Sequence, residues 1–343
     1  MSEPSPPGGG ERDARIDRTL RSLGATDLDH LVAGPGLNLG RVSIVHGASA
    51  EVIWCHDDGH EELSTCQFAT NLNLPPVAGD WVVLRERHVV TVIERRNALR
   101  RPNPNKRDVQ VLAANLDLVM LVVPIDRGLN VRMLERFAVM AFDSGARPVV
   151  VLTKSDGSSD ITALQDASGL AVPGVDVLTT SSRSGEGIEQ LRELLHEGVT
   201  AVMLGASGAG KTSLLNALEN RDETTLSVSP SGEGRHATTT RKLYRLSSGG
   251  VLLDIPGIRL VDLMSDQEGV DETFSDISEI AVQCRFRDCR HDGDEGCAVQ
   301  AAVDAGLLAP SRLKNWRLIQ SGVTGQSRRR DPGIQAAKRR RRK

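Results

Sequence analysis

The run Val202-Met203-Leu204-Gly205-Ala206-Ser207-Gly208-Ala209-Gly210-Lys211-Thr212-Ser213-Leu214-Leu215-Asn216 limits the fold more than any other stretch of this chain. An apolar segment of buried-strand character enters a loop with three glycines, and a helical pattern leaves it. Gly205, Gly208 and Gly210 permit positive φ and let backbone N–H groups turn inward around a phosphate chain. Lys211 then sets a cation against the outer phosphates, and the Thr212 hydroxyl can ligate magnesium. The helix that follows aims its N-terminus at the same anion. Glycine spacing alone is a weak signal, but Gly-x-x-x-x-Gly-Lys-Thr between a strand and a helix is a strong one. Residues Gly205 to Ser213 read as a phosphate-binding loop.

The surrounding pattern alternates strand and helix. Leu116–Val123 is a continuous apolar strand of the kind buried on both faces. Asn130 to Ser144 reads as a helix capped by Asn130 and closed by Gly145. Pro148–Leu152 is a second buried strand, ending in Thr153-Lys154-Ser155-Asp156. Val175–Thr179 is a third, ending in Ser181-Ser182, and a helix from Gly187 to His196 leads into the phosphate-loop strand. Beyond the loop, strands are expected around Lys242–Leu246 and Val251–Leu253. This alternation predicts a mostly parallel, doubly wound sheet whose ligand site lies at the carboxyl ends of its strands.

At 343 residues the chain has room for two or three domains. Residues 1–36 are poor in apolar residues and punctuated by Pro and Gly, and are expected to be disordered. Residues 37–98 show about five short alternating strands separated by turn residues, which suits a small closed barrel of the OB type. Trp54, Phe68 and Trp81 read as core positions of that barrel; the other reading is a stacking face for RNA. Arg95 to Arg107 reads as a basic, Pro- and Asn-rich linker. The predicted organisation is then an α/β phosphate-loop domain at 99–263, a mostly helical domain at 264–322 and a disordered basic tail at 323–343. Helices are expected at Ala298–Ala305 and Ser311–Gln320.

The overall formal charge of −3 hides an asymmetry, because Arg328–Lys343 holds nine Lys/Arg against one Asp and so carries +8, leaving −11 elsewhere. Such a tail either seeks polyanions such as RNA or solubilises the chain. No run of eighteen apolar residues spans a membrane, and the N-terminus is not a secretory signal. Three of the five cysteines crowd between positions 284 and 297. That crowding suggests a metal site in a reducing compartment, and the expected location is the cytoplasm.

Five elements together make a GTP-hydrolysing switch. Besides the phosphate loop, Asp254-Ile255-Pro256-Gly257 follows a strand, so that Asp254 can hold magnesium through water and the Gly257 N–H can touch a γ-phosphate. Gly234-Arg235-His236-Ala237-Thr238-Thr239-Thr240 is a stretch whose hydroxyls can reach the magnesium when a γ-phosphate is present. In Thr153-Lys154-Ser155-Asp156 the carboxylate can accept from both donors of guanine and reject adenine. Thr153 stands where Asn is usual, which is expected to weaken one supporting hydrogen bond. Ser181-Ser182 can offer a backbone N–H to the guanine oxygen. The order is permuted relative to Ras-like proteins, with the base-reading segment ahead of the phosphate loop. Ile258 replaces their water-orienting Gln, so unassisted hydrolysis should be slow, and His236 or a group from a partner would orient the water. The catalytic set is therefore Lys211 and His236 with one hydroxyl of the Thr238–Thr240 run, and magnesium would sit on Thr212, Asp254 and that hydroxyl.

Cys284, Cys289, His291 and Cys297 offer three thiolates and an imidazole, the tetrahedral soft set that zinc prefers. With every position taken by protein, one structural Zn2+ is expected. Arg285, Arg287 and Arg290 around it are either phosphate contacts or solvated surface. Cys55 and Cys66 read as buried apolar positions.

These residues, with Pro76-Val77-Ala78-Gly79-Asp80-Trp81-Val82 and Ala113-Ala114-Asn115-Leu116-Asp117, closely resemble the circularly permuted GTPases of the RsgA (YjeQ/YloQ) family from about Gly40 to Gln320. The resemblance implies an N-terminal OB-fold, a central GTPase using GTP/GDP and Mg2+, and a C-terminal zinc domain. It also implies late maturation of the small ribosomal subunit, contact with its 16S rRNA, and stimulation of the GTPase by that subunit, with no membrane and as a monomer. By position the resemblance places the catalytic, magnesium-reaching threonine of the family's His-Thr-Thr pattern at Thr238, with Thr239 the other choice because Ala237 stands where the first Thr is usual. Thr153 for Asn and Ser182 for Ala are further departures that bear on nucleotide affinity. The rival readings are a non-catalytic RNA-binding scaffold stabilised by nucleotide and an ATP-using phosphate-loop enzyme.

Overall fold

Alternating apolar and polar residues from Asn38 to Val92 close a barrel on itself. In the computed structural model, which describes residues 14–26, 31, 33–56, 59–102, 109–219, 242–254 and 267–327, five strands form it. They are β1 (Asn38–His46), β2 (Ser49–Cys55), β3 (Glu61–Phe68), β4 (Trp81–Arg85) and β5 (His88–Val92). Their order is β1-β2-β3-β5-β4, and β4 pairs back onto β1 with Leu39 opposite Val83. The interior is so narrow that a Cβ on Gly40 would lie 2.7–2.8 Å from Val52, Leu84 and Trp54. Trp54 and Trp81 are 5% and 3% exposed, so both are core and neither presents a stacking face. Cys55 and Cys66 are buried as expected.

Two segments depart from the sequence reading. The supposed linker after Arg95 begins a two-stranded antiparallel ribbon of β6 (Ala98–Pro102) and β7 (Val109–Ala114). Leu99, Leu112 and Ala113 enter the main core while Arg100 stays exposed, and because neighbouring residues are buried together beside a register shift between Leu99 and Arg100, no period of two marks the ribbon in the sequence. Within the N-terminal segment expected to be disordered, α1 (Ala14–Ser22) forms a helix. Leu20 and the following Leu23 are fully buried, and the Thr19 hydroxyl donates to the Gly59 carbonyl at 3.0 Å. Apolar residues are sparse in that segment, but Ile16, Leu20 and Leu23 share a face.

The central sheet contains β8 (Leu118–Pro124), β9 (Arg147–Thr153), β10 (Val177–Thr179), β11 (Thr200–Leu204), β12 (Lys242–Arg245) and β13 (Val251–Asp254). Their order is β10-β9-β8-β11-β13-β12, parallel throughout except for β12, which runs antiparallel to β13. This is the doubly wound sheet read from the sequence. Helix α2 (Val131–Asp143) starts at Asn130, whose side chain accepts the Met133 N–H. The sequence reading missed α3 (Ile161–Ala171), capped by Asp160, because its apolar stripe is weak and Leu170 is 75% exposed. Helices α4 (Ile188–Leu194) and α5 (Lys211–Leu218) flank the phosphate-loop strand.

Barrel and sheet meet around one buried cation. Arg41 is fully buried and lies 4.9 Å from the centre of the Trp81 ring. It donates to the carbonyls of Leu23, Gly79 (3.3 Å) and Asn115 (3.2 Å) and to the Thr200 hydroxyl (2.8 Å). Burial lowers its pKa to about 9, against the pull of Asp117, which leaves it a cation at neutral pH. Gly79 has φ +88°, and a Cβ there would lie 2.4 Å from the Ala114 carbonyl, so only glycine fits the junction.

Helices α6 (Gln267–Thr273), α7 (Ser275–Ala281), α8 (Ala298–Asp304) and α9 (Pro310–Ser327) form the C-terminal unit, α9 running beyond the expected Gln320. The unit is fixed to the sheet domain by Arg312, whose guanidinium meets Glu135 of α2 at 2.9 Å and Asp276 of α7 at 2.8 Å. Arg312 also donates to the carbonyls of Ala171 and Thr273, while Asn315 donates to the second Glu135 oxygen at 2.8 Å. Burial raises the Glu135 pKa, and Arg312 opposes the shift.

Replacing Arg41 with Ala strips several buried carbonyls of their donor at once and leaves a cavity. The Arg41→Ala protein is expected to lose about 2–4 kcal/mol of unfolding free energy in urea titrations. Arg41→Lys should recover little, because one ammonium cannot fork to acceptors on three segments.

Candidate nucleotide site and metal centre

Strands β8, β9, β11 and β13 deliver their motifs to the same edge of the sheet because they run parallel. Gly205 follows β11 so tightly that a Cβ would lie 2.6 Å from the Val122 carbonyl of β8. Gly208 (φ +76°) and Gly210 (φ +93°) take the left-handed turns, and Gly210 is the N-cap of α5. The Lys211 ammonium folds back over the loop and donates to the carbonyls of Gly205 (2.8 Å) and Ala206 (3.0 Å). Burial lowers the Lys211 pKa and raises that of Asp254, and each group counters the other's shift. A half-buried carboxylate at the end of β13 and a half-buried ammonium at the start of α5 thus lie close enough to act on each other. Ser207 and Thr212 are exposed there, Ala206 and Ser213 are half-buried, and Ala209 is buried.

Thr153 makes a contact that the sequence reading did not foresee. Its hydroxyl is buried and donates to the Ala209 carbonyl of the phosphate loop at 2.6 Å, so the substituted residue still makes a tie to that loop. Lys154 adopts the left-handed region (φ 61°, ψ 40°), and its ammonium meets Asp126 at 3.2 Å. Ser155 donates to Glu186 at 2.9 Å. Asp156 accepts from the Ser181 hydroxyl at 2.7 Å, with Arg183 at 3.5 Å. The Ser181 hydrogen bond holds the Asp156 carboxyl below its usual range. Ser182 is exposed beside it.

The structure therefore gathers Thr153 to Asp156, Ser181, Ser182, the phosphate loop and Asp254 at one edge. His236, Ala237, Thr238, Thr239, Gly257 and Ile258 lie outside the described residues, as do residues 328–343 of the basic tail, whose residues 323–327 continue α9 instead of being disordered as expected. Sequence reasoning missed Asp126, Arg183 and Glu186. The one available signal was position, since Asp126 directly follows the carboxyl end of a buried strand.

Cys284, Cys289, His291 and Cys297 bring their ligand atoms within 4.8 Å of one another. His291 Nδ1 lies 3.5 Å from Cys284 Sγ and 3.4 Å from Cys297 Sγ. Tetrahedral zinc bonds would set such a sulfur–nitrogen pair about 3.5 Å apart, so the cluster fits the ion. Burial opposes ionisation of Cys284, but backbone N–H groups of Val299 and Ala298 outweigh it and lower its pKa. Burial, with Cys297 and Cys284 beside it, pushes the Cys289 thiol up to about 12. Cys297 is also the N-cap of α8, accepting the Gln300 N–H at 3.3 Å, and His291 packs on Trp316 at 5.2 Å. The ligand set could thus hold a metal between the end of α7 and the starts of α8 and α9.

Residues 92–264 match the RsgA GTPase family. The small ribosomal subunit biogenesis GTPase RsgA of Streptomyces avermitilis is 45% identical over 252 residues, which cover 70% of this chain and 68% of that protein. Its namesake in Streptomyces coelicolor is 42% identical over 301 residues, covering 84% and 81%. The crystal structure of YjeQ from Thermotoga maritima superposes with a TM-score of 0.62 at 26% identity, over 84% of this chain and 99% of that one. YloQ, described as a circularly permuted GTPase, is similar in fold, with a TM-score of 0.60 at 23% identity over 88% and 99%. In this chain β9, which ends in Thr153-Lys154-Ser155-Asp156, precedes the phosphate-loop strand β11. On this identity and coverage, the chain belongs to the RsgA family of small ribosomal subunit biogenesis GTPases.

Proposed function

We propose that this GTPase binds the small ribosomal subunit in its GTP form, contacts 16S rRNA, hydrolyses GTP to GDP and phosphate there, and leaves during late maturation. It acts in the cytoplasm as a monomer; among the described residues no helix is long and apolar enough to cross a membrane. The observation that carries the nucleotide reading is the Thr153–Ala209 hydrogen bond. It joins a turn suited to guanine with a loop suited to phosphate, so one guanine nucleotide can be held by both.

In this reading Asp156, set by Ser181, accepts the guanine donors, while Lys154, Ser155 and Ser182 shape the base pocket. Backbone N–H groups from Gly205 to Ser213 cradle the phosphates, and Lys211 leaves its loop carbonyls for the outer phosphates. Thr212, Thr238 and Asp254 would hold Mg2+, which supplies charge neutralisation at the phosphates. Asp254 supports this assignment as a half-buried carboxylate whose ionisation burial disfavours and Lys211 favours. Gly257 would donate to the γ-phosphate, and His236 or a group of the subunit would orient the water that Ile258 cannot. Zinc on Cys284, Cys289, His291 and Cys297 would fix the knuckle between helices too short to form a core alone. The relatives' names support the choice of partner, and Arg- and Lys-rich surfaces would make the association fall steeply with salt.

GTP turnover measured with and without purified small subunits tests the proposal. Acceleration of tenfold or more is expected, and none would favour the nucleotide-stabilised scaffold. Competition by GDP but not ADP would exclude ATP use. Thr153→Val removes the hydroxyl at nearly constant volume and leaves the Ala209 carbonyl unpaired. GDP affinity should fall about tenfold by calorimetry, while Thr153→Ser stays near the parent. Metal analysis should find one zinc per chain. Chelation, or Cys284→Ser, should lower the unfolding midpoint by roughly 5–10 °C in calorimetric scans.

A further inference from the structure

Asp126 lies on the connection between β8 and α2, outside every motif of the nucleotide site. Its carboxylate meets the Lys154 ammonium at 3.2 Å, with the two side chains 31% and 40% exposed respectively. Lys154 itself is left-handed, a backbone state that L side chains seldom adopt and that persists where the surroundings hold it. The turn after it packs on the same aspartate, since a Cβ on Gly157 would lie 3.2 Å from Asp126 Cβ.

The sheet order gives this pair a direction. β8 lies between β9 and the phosphate-loop strand β11. A lysine rooted at the end of β9 whose ammonium reaches the end of β8 therefore extends along the carboxyl edge toward the phosphate loop. A nucleotide read by Asp156 and held by Lys211 must cross that same edge. The four-carbon stem of Lys154 is an apolar strip beside its path, suited to one face of a purine ring. Left unpinned, such a stem samples many rotamers, and ordering it would count against binding.

We propose that Asp126 is a positioning residue: it pins Lys154 by the ammonium so that the lysine stem stands ready as one wall of the purine site. The proposal rests on the assignment of base reading to Asp156. The two roles separate experimentally, because a wall touches the ring face and is indifferent to exocyclic groups, whereas Asp156 reads them.

The experiment measures dissociation constants of the full chain for GDP, for inosine diphosphate, which lacks the exocyclic amine, and for xanthosine diphosphate. Asp126→Ala should weaken GDP and inosine diphosphate by the same factor, roughly three- to tenfold, leaving their ratio unchanged. Lys154→Ala should do at least as much, and the double variant should bind no worse than Lys154→Ala alone. Asp126→Asn, which keeps a neutral acceptor, should fall between the parent and Asp126→Ala. The nucleotide-free unfolding midpoint of Asp126→Ala should stay within about 2 °C of the parent, since the pair is partly exposed. Asp126 is not a positioning residue if Asp126→Ala binds GDP within twofold of the parent, alters the GDP-to-inosine ratio, adds its full factor to Lys154→Ala, or lowers that midpoint further. Asp156→Asn should shift preference from GDP toward xanthosine diphosphate; if it does not, the base-reading assignment fails instead.

Discussion

The ladder between β8 and β11 is the seam on which this molecule depends. Ala201 to Leu204 pair in parallel with Leu118 to Leu121, and this pairing alone joins β8, β9 and β10 to the phosphate-loop strand β11 and to β13 and β12 within the sheet. A parallel pair has no hairpin to set its register, so side-chain packing must do so. Val119, Leu121, Val202 and Leu204 enter the core cluster on one face, while Leu118, Met120, Ala201 and Met203 enter the cluster on the other. A slip by one residue would exchange the two sets. It would also move Gly205 away from the Val122 carbonyl and Ala209 away from Thr153, so the site inherits its geometry from the seam.

Two buried guanidinium groups extend this order to the flanking units, and they do so differently. Arg41 binds carbonyls and a hydroxyl rather than a carboxylate, and these acceptors tie together α1, the barrel and the sheet domain. Arg312 is paired with Glu135 and Asp276 and ties α2 to α7 and α9. Removing one partner of such a buried pair leaves an uncompensated charge, so the geometry is held more firmly than the net pair energy suggests. The permuted chain leaves β13 and enters a C-terminal unit already fixed on α2. Any pull from the nucleotide side must act against that attachment.

Much of this was legible from local chemistry. The phosphate loop, the Asn130 cap, the buried strands and the Cys/His spacing each state their structure within a few residues. What was not legible depends on distant partners. α1 has few apolar residues, and its burial follows from the receiving surface near Gly59 and Thr200. The β6–β7 ribbon carries no period of two, while its inward side chains find a core supplied by the sheet domain. Thr153 read as a loss because the alternative acceptor, the Ala209 carbonyl, is 56 positions away in the chain. The Pro76–Val82 and Ala113–Asp117 stretches, distinctive only by family likeness, turn out to line the barrel–sheet junction. Asn115 donates to the Gly79 carbonyl at 3.1 Å, and Asp117 accepts the Thr200 N–H at 2.8 Å.

The docking of α1 has a consequence for what counts as a module here. Drawn by topology, the barrel begins at Asn38; drawn by hydrogen bonding, it begins at least as early as α1, because the Leu23 carbonyl is one of the acceptors that Arg41 needs. A recombinant piece trimmed to the strands would leave a desolvated cation short of an acceptor and open part of the main core to water where Leu20 and Leu23 now sit. The physical unit is therefore not the barrel alone: a leader whose sequence looks dispensable belongs to it, together with the sheet-domain positions Asn115 and Thr200 that complete the same set of acceptors.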